Sequence, residues 1–108
     1  AGFSQGGVIA LHLGTRINKK LAGIMALSTY MCDPETLASE ASDVNKRTPI
    51  LMAHGQQDNV VPVFMGNAAL KVLQDNGYAV TWQDYPMQHS VCLEEINHIS
   101  AWLQARFS

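Results

Sequence analysis

Ala1-Gly2-Phe3-Ser4-Gln5-Gly6-Gly7 opens the chain and governs how the rest is read. Gly2, Ser4 and Gly6 match G-x-S-x-G, the spacing of a sharp strand-to-helix turn that presents a serine hydroxyl. The serine in such a turn takes a strained backbone conformation, and its glycine neighbours let strand and helix approach closely. Three fixed positions in five are only moderately specific, so the residues beyond the turn must decide the case. A serine hydroxyl is a poor nucleophile until a base takes its proton, and that base needs a carboxylate to hold its tautomer. Candidates follow in the order serine, acid, histidine. They are Ser4, Asp58 within His54-Gly55-Gln56-Gln57-Asp58-Asn59-Val60-Val61-Pro62, and His89 within Tyr85-Pro86-Met87-Gln88-His89-Ser90.

Each candidate has an ordinary alternative. An Asp between a strand and a helix usually caps the helix or makes a turn, and a lone loop histidine is usually a surface group. The blocks around them weigh the other way. Gly55 and Pro62 mark a tight turn and a helix start that would hold the Asp58 carboxylate beside the histidine loop. Gly2 to Gly7, the H-G-x-x-D-x-V-V-P block and the W-x-x-Y-P-M-x-H block from Trp82 to His89 span nearly the whole chain in order. As a set they resemble the carboxylesterase/phospholipase branch of the α/β-hydrolase superfamily, which includes small bacterial carboxylesterases and acyl-protein thioesterases.

The resemblance implies Ser4 as nucleophile, Asp58 as triad acid and His89 as base. It implies hydrolysis of short to medium acyl esters without a cofactor, with a thioesterase or lysophospholipase as the alternative inside the same chemistry. A non-catalytic α/β interaction module that keeps the triad as a relic is the reading from a different class. The implied fold is α/β, with parallel strands and helices on both faces. Proteins of this kind carry a comparable length before the elbow, including the loop that donates a second oxyanion N–H. Residues 1–108 therefore read as the C-terminal portion of one α/β-hydrolase domain, its partner being the N-terminal half or, through an exposed sheet edge, another copy.

The elbow should lead straight into a helix from Gln5 to about Asn18, with Val8, Ile9, Leu13 and Ile17 on the buried face. Its N-terminal dipole would point at Ser4, and the backbone N–H of Gln5 is placed to bind a developing oxyanion. His12, eight residues past Ser4, reads as a surface or packing residue. Leu21 to Ser28 is an apolar run suited to a parallel strand covered on both faces. Thr29 to Thr48 turns polar and irregular, with Asp33-Pro34 able to start a short helix. Loops at the carboxyl ends of parallel strands line the ligand crevice, so Tyr30 and Met31, with Cys32, are candidates for substrate-pocket wall as much as for ordinary packing.

Pro49 to His54 reads as the next buried strand, and His54 as a packing or backbone-bonded residue. A helix over Val63 to Asn76 should bury Met65, Ala68, Ala69, Val72 and Leu73 and end at Gly77. Tyr78 to Tyr85 alternates as a strand nearer a sheet edge does. The last helix, Cys92 to Phe107, should pack Leu93, Ile96, Ile99, Ser100, Leu103 and Phe107 against the sheet and leave Glu94, Glu95 and His98 among its polar positions.

Composition excludes several classes. A net charge of −2 gives no basic patch, which argues against nucleic acid as a partner. No apolar run approaches the ~20 residues that span a bilayer. The four histidines show no metal-ligand spacing, and Glu94 and Glu95 diverge on a helix, so neither a metal nor a paired-carboxylate site is expected. Cys32 and Cys92 lie in no C-x-x-C motif and read as free thiols of a cytoplasmic protein, with a disulfide as the alternative. A hydrophobic fraction of 47% is apolar for a small complete domain, which fits surface meant to meet a second half.

Overall fold

The computed structural model describes residues 1–107. Four parallel strands stand in chain order in one sheet: β1 (Gly2–Phe3), β2 (Ile24–Leu27), β3 (Ile50–Gly55) and β4 (Val80–Tyr85). The longer helices are α1 (Gln5–Arg16), α3 (Val63–Asp75) and α4 (Leu93–Phe107), and a short α2 (Leu37–Glu40) lies between β2 and β3. Helices cover both faces, as the sequence implies. Leu11 of α1 and Ala69 and Leu73 of α3 pack on Ile24, Ala26, Ile50 and Met52, the even-numbered side chains of the central strands. Ala53, Tyr85, Met87, Leu27 and Cys92 cluster on the other face, under α4. Every residue of β3 is buried, as an interior parallel strand requires.

Strand bounds are tighter than the apolar runs suggest, because pairing stops where the backbone turns away. β2 begins at Ile24, beyond Gly23, where a Cβ would lie 2.4 Å from the Trp102 ring. The strand feeding the elbow has two residues, and they pair only with Ala26 and Leu27. Asp33 precedes Pro34 in a left-handed conformation and opens a single 3-10 turn, close to the expected start. At the end of α3, Gly77 at φ +87° allows a Schellman closure: its N–H donates to Gln74 O, and the Tyr78 N–H to Leu73 O. β4 forms one sheet edge, as its alternation predicts.

Three helix faces depart from the apolar pattern, α3 only at Gly66 and Ala68. On α1 the buried residues are Gly7, Leu11, Gly14 and Thr15, while Ile9 is 63% and Leu13 54% exposed. Close approach is the cause. A Cβ on Gly7 would meet Thr29 at 2.7 Å and one on Gly14 would meet Ile24 at 2.7 Å, so small residues face the sheet and large ones turn away. On α3, Gly66 is inward against His54, and Ala68 is exposed. On α4 the expected stripe lies largely outside: Leu93 is 74% and Phe107 79% exposed, and Ile96 and Leu103 are exposed as well. Glu95 is the buried residue of that helix, and Trp102 with Arg106 lies over Gly23.

Candidate active site

Ser4, Asp58 and His89 each follow the carboxyl end of a strand, and the sheet register brings those ends level. Phe3 pairs with Leu27, Leu27 with Ala53, and Gly55 with Tyr85. The loops that leave Phe3, Gly55 and Tyr85 therefore share one rim of the sheet, where ligand crevices of parallel sheets form.

Ser4 sits between β1 and α1 at φ 58° and ψ −119°. A non-glycine residue at positive φ costs on the order of 1–3 kcal/mol and persists only when its surroundings hold it. Here its N–H donates to Leu27 O at 2.9 Å, and its carbonyl accepts the Gly7 N–H at 3.0 Å, the Val8 N–H at 3.2 Å and the Thr29 hydroxyl at 2.6 Å. Gly2 is obligatory for the same turn, because a Cβ there would fall 2.0 Å from Gly6 O. Gln5 is the first residue of α1, so its N–H is one of the first-turn donors left without an intrahelical acceptor.

Asp58 is 6% exposed and its carboxylate is fully engaged. Oδ1 accepts the N–H groups of Val60 at 2.9 Å and Val61 at 2.8 Å, while Oδ2 accepts His89 Nδ1–H at 2.7 Å. Burial alone would raise its pKa. The hydrogen bonds from His89, Val61 and Val60 outweigh burial and leave the carboxyl below its ordinary value. Asp58 caps no helix, since α3 begins at Val63 with Pro62 as its N-cap; the turn reading and the carboxylate reading coexist, with one oxygen spent on each. A carboxylate only accepts, so Nδ1 carries the proton and His89 Nε2 is an acceptor. The Ser4 hydroxyl donates to it at 3.0 Å. Phe3 flanks the imidazole, ring centroids 4.8 Å apart.

His54 makes no hydrogen bond to this relay, although its Nε2 lies 3.7 Å from Asp58 Oδ2. Its Nε2–H donates to Val61 O at 2.7 Å, and its ring stacks on Trp82, which is the backbone-bonded packing role expected of it. His12 is also apart, against Cys32 Sγ at 3.3 Å. Cys32 and Cys92 are both free. Among the described residues no group of three His, Cys, Asp or Glu side chains is arranged to hold a metal.

The sequence of residues 1–107 matches the Phospholipase/Carboxylesterase family. The chain belongs to that family. It is 44% identical to Acyl-protein thioesterase 1 of Neurospora crassa over 108 residues, covering 97% of this chain and 44% of that protein. To Carboxylesterase SOBER1 of Arabidopsis thaliana it is 33% identical, covering 97% of this chain and 46% of the other. The crystal structure of Arabidopsis thaliana SOBER1 superposes with a TM-score of 0.92 at 31% identity, over 99% of this chain and 51% of that one. The chain thus spans somewhat less than half the length of the curated relatives.

Between the loop after β2 and helix α3 of this family member lies an apolar pocket of about 170 Å³. Tyr30 and Met31, from the loop after β2, form one wall, and Phe64, Met65 and Val72 of α3 form the other. None of Ser4, Asp58 and His89 lines it. It is tied to the relay through its frame: Thr29, next to Tyr30, bonds the Ser4 carbonyl, and α3 starts directly after the Asp58 turn. Thr29, Phe64 and Phe3 were not identifiable as site residues from their types alone, since each reads equally as packing. Cys32 does not line the pocket.

Proposed function

We propose that this chain carries the catalytic half of a serine hydrolase that cleaves carboxylic esters of short to medium acyl chains. The observation that carries this reading is the continuous bond chain from the Asp58 carboxylate through His89 to the Ser4 hydroxyl, at 2.7 Å and 3.0 Å. Ser4 Oγ attacks the acyl carbonyl as His89 Nε2 takes its proton, and Asp58 stabilises the imidazolium and fixes its tautomer. The Gln5 N–H receives the developing oxyanion, where one such donor is worth roughly 3 kcal/mol. His89 then protonates the leaving alcohol and activates the water that frees the acid. A pocket of about 170 Å³ is smaller than whole ligand sites of roughly 300–1,000 Å³ and suits an acyl arm of modest length. Tyr30 and Met31 are its substrate-contacting residues in this reading.

Thioester hydrolysis by the same residues is the second reading, supported by the 44% identity to a protein called an acyl-protein thioesterase. The chain acts as the C-terminal portion of one hydrolase domain, completed at the β1 edge by the remaining length of that domain or by another copy. Two free thiols fit a cytoplasmic setting, and no helix among the described residues is long and apolar enough to cross a membrane.

Labelling with a fluorophosphonate tests the proposal. Ser4 should react, Ser4→Ala should not, and turnover of paired oxygen and sulfur esters ranks the two readings. An unlabelled Ser4 in a folded protein that contains the whole family domain would refute the hydrolase reading.

A further inference from the structure

Glu95 is the one acidic side chain of α4 that is fully buried, and both of its carboxylate oxygens lie without a hydrogen-bond partner. Carboxylates are almost never buried unpaired, so the group needs an account. Its place in the chain supplies one. The first i to i−4 bond of α4 runs from the Ile96 N–H to Cys92 O at 3.0 Å, which makes Cys92 the N-cap and Glu95 the third helical residue. That is the spacing at which a Glu reaches back to the N-cap N–H in a capping box. Burial pushes the Glu95 carboxyl above its ordinary value, with the Cys92 backbone as a smaller opposing influence. Cysteine offers no oxygen for the reciprocal bond, so the Glu95 half of the box stands alone.

Cys92 is also the last residue of the loop that carries His89. The loop leaves β4 at Tyr85, 2% exposed, whose phenol is pushed up to about 12, by burial first and then by the Glu95 charge. Tyr85 OH meets His98 Nδ1 at 2.7 Å, one helical turn beyond Glu95. Cys92 itself packs on the cluster of Ala53, Tyr85 and Met87, so the loop starts at a buried Tyr85 and ends against it, with the buried Glu95 in the first turn that follows. The middle of the loop is clamped by the Gln57 N–H on Met87 O at 3.0 Å and by Gly55, where a Cβ would lie 2.3 Å from Gln88 O.

Resting on the hydrolase reading of the site, we propose that Glu95 is a positioning residue for His89: by holding the Cys92 end of the loop over Tyr85 it sets the imidazole between Asp58 and Ser4. The mechanism above does not use Glu95, and the helix pattern places it on the polar side.

Glu95→Leu and Glu95→Gln in the full-length family domain test this. Leucine fills similar volume with no polar atom, and replacing an unpaired buried polar group in that way is neutral or stabilising. A Glu95 that positions nothing therefore predicts an equal or higher melting temperature and unchanged site behaviour. Positioning predicts the same stability with Ser4 labelled by fluorophosphonate at least about tenfold more slowly, because small misplacement of a base is costly. The low-field proton that His89 Nδ1 shares with Asp58 should also broaden or shift in its NMR spectrum. Glu95→Gln keeps the length and an acceptor oxygen at the position from which a capping-box residue reaches the N-cap N–H, so it should label within about threefold of the parent rate. Wild-type labelling and an unmoved resonance in Glu95→Leu would overturn the proposal. So would a Glu95→Gln protein as slow as Glu95→Leu, or a Glu95→Leu protein unfolded at room temperature, which would make Glu95 a support of the fold at large. If the parent Ser4 never labels, the hydrolase reading fails by itself, and the His89 resonance still decides the role of Glu95.

Discussion

At the scale of single residues, Asp58 divides its two oxygens between the turn and the histidine, and the two shares are separable. Oδ1 ties the turn at Val60 and Val61, whereas Oδ2 holds His89. Asp58→Asn keeps an oxygen for the turn but can present an N–H to the imidazole, which favours the tautomer whose Nε2 carries the proton and cannot accept from Ser4. On the hydrolase reading, and in a protein that contains the whole family domain, the expected outcome is a folded protein whose ester turnover falls by roughly 10³–10⁴-fold, read as kcat against the parent. The same residue sets an acid limit. Its folded-state pKa lies below the ordinary 3.8, so its contribution to stability is present above that value and is lost as pH falls through the folded pKa. Melting temperature followed downward from neutral pH should drop below about pH 4 in the parent, with a shallower slope in Asp58→Asn. Equal slopes in the two proteins would show that Asp58 is not the group being titrated.

At the scale of elements, α3 shows what the pattern in the chain conveys well. Its apolar face and its terminal glycine were both legible, and the Schellman bonds at Gly77 and Tyr78 follow from them. Gly77→Ala should cost about 1 kcal/mol, a purely conformational loss, because φ is +87° and an added Cβ meets nothing within 4 Å. Leu73→Ala, at a fully buried position, should cost about 2–5 kcal/mol. Denaturant midpoints at constant m distinguish the two, and a Gly77→Ala loss as large as that of Leu73→Ala would contradict this account of the turn. The elbow was legible for a related reason: the close approach of Gly2 to Gly6 O fixes residue type at fixed spacing, and the two later blocks place Asp58 and His89 in hydrogen-bond reach of each other. The inward faces of α1 and α4 were not legible. An amphipathic reading sends large apolar residues inward, but α1 approaches its sheet so closely that Gly7 and Gly14 must face it, which turns Ile9 and Leu13 out. On α4 a charged residue takes the inward position for reasons of loop geometry that hydrophobicity does not encode. The pocket was half legible, since Tyr30 and Met31 sit in a strand-end loop while Phe64 and Met65 look like any helix start.

At the scale of the whole molecule, the chain is compact yet open along one side. Its Cα radius of gyration, 13.0 Å, is about that of any compact chain of this length, so the exposed apolar surface does not come from a loosened fold. It comes from a slab 35 × 33 × 20 Å with β1 at its margin. β1 pairs with only Ala26 and Leu27, leaving Ile24 and Met25 of β2 without a neighbour on that side. A groove of about 290 Å³ runs beside it, lined by Ile9, Leu13, Ile17 and Leu21. Unpaired strand edges next to apolar surface invite another chain. The 108-residue chain taken alone should therefore self-associate, its sedimentation coefficient rising between about 1 and 100 μM, a range in which apolar contacts of this kind assemble. Ile9→Lys with Leu13→Lys puts two charges on exposed positions of the groove and none in the core, so the melting temperature should hold while association weakens about tenfold or more. The apolar side chains of α4, Leu93 and Phe107, offer the competing surface on the opposite face. Association that persists in the Ile9/Leu13 variant and disappears on Leu93→Lys would move the contact there, and a monomer across the whole range would mean that the two-residue strand closes the edge on its own.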